Sequence, residues 1–312
     1  MSVPELSVVI PCFNEEENVR AICRAVTAEL TRIGVTFEIV LIDNCSTDAT
    51  RAIIRAMCSE DARIRAIFNN RNYGQMRSPT YGIYQASGAA VIGMCADFQD
   101  PPALIGTLVN HWRAGAQVVL GQRKRERASI PLRILRKLGY AFLARVADYP
   151  VIPGATGFGL FDRKVVNALA GWNEPEPFFR GMLVESGFRI AIVPFDRPPR
   201  AAGASKNGLR SLTSFALSAL SGSARSLLRL PLFIAALSGL ACAVMVGAWL
   251  TALLLGGSAG MPLLAAIGFM AFALIMLSIG LVAEQVRLLG ERSRNVPLVI
   301  EEERINFPRR EA

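Results

Sequence analysis

Between residues 6 and 120 five short apolar runs recur, at 6–10, 37–42, 64–68, 91–94 and 117–120, and amphipathic stretches of helical spacing separate them. Val19, Ile22, Val26 and Leu30 mark the first helix, which continues to Gly34. A second is expected from Thr47 or Asp48 to about Cys58, a third from Ser78 to about Ser87, and a fourth from Pro102 to about Ala114. Apolar runs without polar alternation belong to strands covered on both faces. Strand and helix in strict turn predict an α/β fold with a mostly parallel, doubly wound sheet. Four of the runs end in a polar cluster: Asn14/Glu15, Asp43/Ser46/Asp48, Arg71/Asn72 and Asp97/Gln99/Asp100. These clusters therefore gather at one sheet edge, where such folds bind ligands.

The stretch 91–102, VIGMCADFQDPP, is the most informative of these. Its strand runs out into Asp97, Gln99 and Asp100 and is stopped by Pro101 and Pro102. Oxygen donors in this pattern suit a hard divalent cation that also holds a diphosphate. The plainer alternative is a strand-to-helix turn with an Asp as N-cap ahead of a Pro at the first helical position. At the first loop Asn14 reads as an N-cap, with Glu15, Glu16 and Glu17 favoured by the positive end of the helix dipole. Neither GxGxxG after the first strand nor a Walker A sequence is present, which argues against dinucleotide and P-loop folds.

The 312 residues leave room for one large domain plus appendages. Apolar residues make up 52% and the mean hydropathy is +0.36, an excess that falls mostly after Pro231. There, 232–255 and 261–283 are uncharged apolar runs, each longer than the roughly 20 residues a bilayer-spanning helix needs. A five-residue link, 256–260, makes them a tight hairpin. Arg225 and Arg229 before it, and Arg287, Arg292 and Arg294 after it, put both ends in the cytoplasm. Two stretches, 130–147 and 209–230, have the basic amphipathic character of interfacial helices, and for 130–147 packing on the domain's own core is the alternative. The net charge of +9 suits an anionic membrane surface. Nucleic acid is not expected as a partner, because no binding motif accompanies the arginines. The six cysteines form no CxxC pair and are expected as reduced thiols; residues 1–11 lack the features of a signal peptide. The organisation expected is a catalytic domain at 1–208, a juxtamembrane helix at 209–230, the hairpin at 231–283 and a cytosolic tail at 284–312.

The segments PCFNEEENV, LIDNCSTDAT, RNYGQMRSPTYG and ADFQDPP, followed by TGFGLFDRKVV, FFRG, RAAGASKN and VPLVIEEERINF, carry a resemblance. In that order and spacing the chain resembles family 2 glycosyltransferases of the GT-A fold, in the polyprenyl-phosphate group related to dolichol-phosphate mannose synthase. The resemblance implies an inverting, metal-dependent enzyme that moves a sugar from a nucleotide-sugar donor to a polyprenyl phosphate. Its bacterial members suggest a UDP-sugar, undecaprenyl phosphate, the inner membrane, cell-envelope polysaccharide synthesis and a homo-oligomer. It places Mg²⁺ or Mn²⁺ on Asp97 and Gln99, with Asp100 close enough to assist catalysis. Asp43 would accept an N–H of the base, Pro11, Asn14 and Glu15 would complete the nucleotide pocket, and Arg71 would face the diphosphate. Arg180, Ser205 and Lys206 would mark the acceptor side. Three departures stand out: Cys95 replaces an Asp, Asn44 replaces an Asp, and Phe158-Gly159 occupy the usual place of Asp-Phe. A thiol is a poor ligand for Mg²⁺.

His111 is the single histidine, and it lies inside the fourth predicted helix, away from every polar cluster. A hydroxyl acceptor would require a base, for which Asp100, Asp162 and Glu185 are candidates. A phosphate monoester has a second pKa of about 6 and arrives already anionic. It needs cations to hold it, for which Arg123, Lys124, Arg125, Arg127, Arg180, Arg197, Arg200 and Lys206 are candidates, a solvated face being the alternative for the run 123–127. The alternatives to lipid-phosphate transfer are a glycan or lipid hydroxyl acceptor, and a catalytically silent membrane scaffold that binds nucleotide sugar.

Overall fold

The apolar runs are strands, and both faces of the sheet they build are covered. The computed structural model describes residues 3–124, 152, 154–196, 198 and 296–308, with scattered positions between 267 and 293. Four strands, β1 (Leu6–Cys12), β2 (Phe37–Asp43), β3 (Ile64–Asn69) and β4 (Ala90–Gly93), lie parallel in the order β4-β1-β2-β3. Alternation inside β1 and β2 sorts side chains to opposite layers: Leu6, Val8, Ile10, Ile39 and Leu41 to one, Val9, Val40 and Ile42 to the other. The first layer is closed by α1 (Val19–Arg32), α2 (Thr50–Glu60) and α4 (Ile105–Arg113), the second by α3 (Gly74–Gln85), α5 (Arg163–Ala170) and α6 (Phe179–Glu185).

The sheet is larger than the parallel centre. Its eight strands run β7-β5-β6-β4-β1-β2-β3-β8, with β5 at Val118–Arg123, β6 at Ala155–Asp162, β7 at Ile190–Phe195 and β8 at Glu301–Ile305. β6 is antiparallel to β4 and β5, β7 is parallel to β5, and β8 is antiparallel to β3. Strand β8, from the stretch set apart above as a tail, thus joins the sheet beside β3.

Several element boundaries differ from expectation, each for a local reason. Asn14 is not an N-cap: it takes a left-handed conformation (φ 54°), and α1 starts at Val19 behind Asn18. The three glutamates accordingly precede the helix, whose first turn holds no acidic residue. The second helix begins at Thr50, because Asp48 Oδ1 accepts from the Thr50 amide at 3.0 Å. The third begins earlier, at Gly74, where Asn72 Oδ1 accepts the amide at 2.8 Å, and Pro79 sits inside it. Pro102–Leu104 form a 3₁₀ turn before α4, and Asp100 does not cap it: its Oδ2 accepts from the Cys95 amide instead, at 2.9 Å.

The edge of the sheet opposite the polar clusters is taken up by structure. Glu38, 2% exposed, accepts from Ser7 Oγ at 2.5 Å and from the Ser87 amide at 2.6 Å, and forms an ion pair with Arg65. Phe158 belongs to the core, fully buried and edge-on to Phe195 with ring centres 5.6 Å apart. At Gly159 an added Cβ would lie 2.4 Å from the Val119 carbonyl oxygen, so β5 and β6 approach too closely for a side chain there. Gly159→Ala is expected to destabilise the protein by about 1–3 kcal/mol, read as a lowered melting temperature.

Among the described residues no helix is long and apolar enough to cross a membrane. The stretches 130–147, 209–230 and 232–255, and most of 261–283, lie outside those residues, as do Arg125, Arg127, Arg197, Arg200, Ser205 and Lys206. The described positions between 267 and 293 are helical, and Ile275, Ile279, Val282, Val286 and Leu289 among them are exposed.

Candidate functional site

The carboxyl ends of β1 to β5 deliver most of the candidate residues to one edge. In β1 and β2 the register pairs Cys12 with Asp43, so the loop holding Asn14 and Glu15 stands beside the Asp43 turn. The two loops are stitched together. Thr47 N donates to Asn14 Oδ1 at 2.8 Å, Asn14 N to Ser46 Oγ at 2.9 Å, and Glu15 N to Thr50 Oγ1 at 2.8 Å. Pro11, next to last in β1, pairs with Ile42 and is half-buried. The left-handed Asn14 makes this clamp possible, since Asn tolerates that conformation.

Asp43 closes β2 and is fully buried. Ser46 N donates to its Oδ2 at 3.1 Å, and Arg51 Nε lies 3.6 Å from the same oxygen. Its Oδ1 has no hydrogen-bond partner among the described residues. Burial raises the carboxyl above its ordinary range, and the Ser46 and Cys45 groups together with Arg51 recover part of that.

Asn44 has a structural explanation. Its Oδ1 accepts from Tyr73 N at 2.9 Å and Asn69 Nδ2 at 3.1 Å, while its Nδ2 donates to Asn72 Oδ1 at 2.8 Å and Gly74 O at 3.3 Å. An aspartate could not donate to the last two. Asn44 thus pins the β3–α3 loop, in which exposed Arg71 stacks 4.0 Å above the Tyr73 ring. This loop and the first turn of α3 grip the C-terminal segment: Arg77 donates to Leu298 O and Pro297 O at 3.1 and 3.0 Å, and Ile300 N donates to Tyr73 Oη at 3.2 Å.

After β4 the chain makes a tight turn through Phe98, which is left-handed at φ 60°. Asp97 Oδ1 accepts from Gln99 N at 3.1 Å, and Asp97 and Asp100 are 4% and 2% exposed, whereas Cys95 is exposed. Among the described residues no three His, Cys, Asp or Glu side chains cluster as a protein-only cation cage. Mg²⁺ is ordinarily held by one or two carboxylates with substrate phosphates and water. A turn that brings Asp97, Gln99 and Asp100 together fits that donor set.

The acceptor-side candidates meet at the start of β6. Gly93 pairs with Gly159 and Gln122 with Ala155, so residues 155–157 project past the end of β4 on the Asp97 side. Arg123 ends β5, and its amide donates to Gly154 O at 3.0 Å. Arg180, stacked on Phe178, donates to Ala155 O at 2.8 Å. Strand β7 ends level with Arg123, so the segment that follows it leaves from this edge. His111 is exposed on α4. Asp162 is committed elsewhere: Oδ2 accepts from Trp112 Nε1 at 2.8 Å, and Oδ1 caps α5 through Lys164 N at 2.9 Å. Two groups at the site were not anticipated. Arg51 reads as an ordinary surface position of an amphipathic helix, and Glu302 as part of a solvated acidic run; Arg51 meets Asp43 from α2, and the pairing of β8 with β3 brings Glu302 to Arg51.

Comparison with known proteins shows the family. The family described as Glycosyl transferase family 2 matches residues 7–169. An uncharacterized glycosyltransferase of Synechocystis, sll0501, is 35% identical over 214 residues, which is 68% of this chain and 67% of that protein. The bactoprenol glucosyl transferase of Shigella phage SfV is 32% identical over 253 residues, covering 79% of this chain and 80% of that one. Among solved structures, glucosyl-3-phosphoglycerate synthase from Mycobacterium tuberculosis, in complex with Mn²⁺, UDP and phosphoglyceric acid, has a TM-score of 0.50 at 18% identity. That match covers 70% of this chain and 78% of the other, and it is a likeness of fold, an α/β sheet of the GT-A kind. The chain is a glycosyltransferase and belongs to glycosyl transferase family 2.

Proposed function

We propose that this enzyme transfers a sugar from a nucleoside-diphosphate donor to a polyprenyl phosphate, with inversion at the anomeric carbon. The observation that carries the proposal is the convergence on one sheet edge of Asp43, the Asp97 turn, Arg123 and Arg180. A phosphate oxygen of the acceptor attacks the sugar C1, the bond from C1 to the diphosphate oxygen breaks, and the nucleoside diphosphate leaves with the electron pair. The acceptor is already anionic, so no proton has to be removed. This suits the geometry, since Asp162, paired with Ala90 at the start of β4, and His111, near the end of α4, lie toward the opposite edge of the sheet. Arg123 and Arg180 would orient the lipid phosphate. Asp97, with Gln99 and Asp100, would hold Mg²⁺ or Mn²⁺, which when bound supplies a Lewis acid for the departing diphosphate. The relatives named bactoprenol glucosyl transferase favour undecaprenyl phosphate, and with it a UDP-sugar.

A membrane location belongs to the same proposal. The uncharged runs 232–255 and 261–283 are long enough to span a bilayer, with basic residues on both sides. The exposed side chains Ile275, Ile279 and Val282 are what a lipid-facing surface would present. The catalytic domain would then lie on the cytoplasmic side of a bacterial inner membrane, and a homo-oligomer is expected.

The test is to incubate membranes carrying the protein with radiolabelled nucleotide sugars and undecaprenyl phosphate, then extract with organic solvent. Label in the organic phase, released by mild acid as free sugar, is the expected result. Label confined to water-soluble saccharides would favour the hydroxyl-acceptor alternative and overturn this one.

A further inference from the structure

The C-terminal strand β8 reaches Asp43 through Arg51. The Arg51 guanidinium lies between two carboxylates, with Nη2 2.7 Å from Glu302 Oε2 on β8 and Nε 3.6 Å from Asp43 Oδ2. The Glu302 side chain is 51% exposed, and a pair that open to water contributes little stability. Its consequence is where it parks the arginine. Drawn toward β8 and seated over the Phe68 ring, Arg51 stops just short of Asp43. Two buried atoms are left without hydrogen bonds among the described residues: Arg51 Nε, a donor, and Asp43 Oδ1, an acceptor. A buried carboxylate oxygen without a donor is costly, and without Glu302 the adjacent guanidinium would be drawn to close on it.

We propose that Glu302 is a positioning residue of the donor pocket: it holds Arg51 toward β8, so that the buried Oδ1 of Asp43 is left without a protein donor among the described residues and is met by a ring N–H of the donor's base. The inference rests on the nucleotide-sugar reading above and narrows the donor to bases with a ring N–H, uracil or guanine. Strand β8 has anchors of its own. Ile300 N is held by Tyr73, and Asn306 Nδ2 donates to Cys58 O and Ile64 O, both at 2.8 Å. Removing the Glu302 carboxylate therefore leaves the strand seated.

The test uses the full-length protein and compares binding of UDP and GDP with binding of pyrophosphate, which has no base. In Glu302→Ala, affinity for whichever nucleotide the wild type binds is expected to fall about tenfold, while pyrophosphate binding is unchanged. Donor KM rises and kcat holds. Adding Arg51→Gln to that variant removes the competitor and restores most of the loss. Glu303→Ala breaks the neighbouring 2.7 Å pair with Arg55 and is expected to leave nucleotide binding as it was. Glu302→Gln gives the same comparison if the alanine variant folds poorly. Equal loss of nucleotide and pyrophosphate, no loss at all, or no recovery in the double variant overturns the inference. A wild type that binds pyrophosphate but neither UDP nor GDP overturns the donor reading itself, and this inference with it.

Discussion

Asp97→Ala is expected to lower kcat by about a thousandfold, the scale of losing a bound cation's hold on a departing diphosphate. The size follows from how few carboxylates the turn contains. With Cys95 in place of an acidic residue, Asp97 has no carboxylate partner two positions before it, and Asp100 Oδ2 is already engaged by the Cys95 amide. Asp97 also shapes the turn, since Oδ1 accepts from Gln99 N at 3.1 Å beside the left-handed Phe98. The two roles separate in Asp97→Asn. An amide oxygen still accepts that hydrogen bond but carries no charge, so kcat should fall nearly as far while the melting temperature stays put. Cys95→Asp gives the converse: a second hard donor should tighten Mg²⁺ or Mn²⁺ binding in calorimetry with UDP present. Wild-type rates in Asp97→Ala with no metal dependence would remove the cation from the proposal. Strong inactivation of Cys95→Asp would give the thiol a part of its own.

The parallel centre of the fold is legible because burial on both faces leaves a plain signature. VVI in β1 and IVLI in β2 are unbroken apolar runs, and each ends in residues that cannot continue a buried strand. The edge they share follows from topology alone, so Asp43, Asn14 and Asp97 could be placed together before any coordinate was known. What could not be read is the rest of the sheet. β6 contains two glycines within ATGFGLFD, one required by the close approach of Val119, and β7 contains a proline. β8 is EEERI, which no apolar pattern marks as a strand. It holds through its ladder with β3, through Tyr73 at Ile300, through the Asn306 bonds to Cys58 and Ile64, and through Arg304, which reaches Gln85 at 2.8 Å. Those are contacts between residues more than two hundred positions apart, and local spacing does not reveal them. The Phe158-Gly159 departure likewise became intelligible only in place: Phe158 packs on Phe195 inside the core and does not face the site.

Asp43→Asn should push stability and nucleotide binding in opposite directions. Asp43 is fully buried, one of its oxygens lacks a donor, and burial raises its carboxyl above the ordinary range. A carboxyl raised in the folded state favours folding when protonated. That contribution is complete below the ordinary carboxylate range and is lost as pH rises through the folded-state value. At neutral pH the wild type therefore bears the cost of a buried, partly unsatisfied charge. Asn removes the charge, keeps an acceptor for the Ser46 amide, and leaves Arg51 its pair with Glu302. The variant is expected to be more stable at pH 7.5 by at least about 1 kcal/mol, with the gap shrinking as the pH is lowered toward the ordinary carboxylate range. Nucleotide binding should weaken by roughly 10- to 100-fold, the range for losing a hydrogen bond to a charged acceptor, while pyrophosphate binding holds. Thermal melts across that pH range, beside calorimetry with UDP and pyrophosphate, read both effects on one preparation. A variant less stable at every pH would mean that the charge is satisfied in the folded protein. One that bound UDP as tightly as the wild type would remove Asp43 from base recognition and leave its burial without a purpose at this edge.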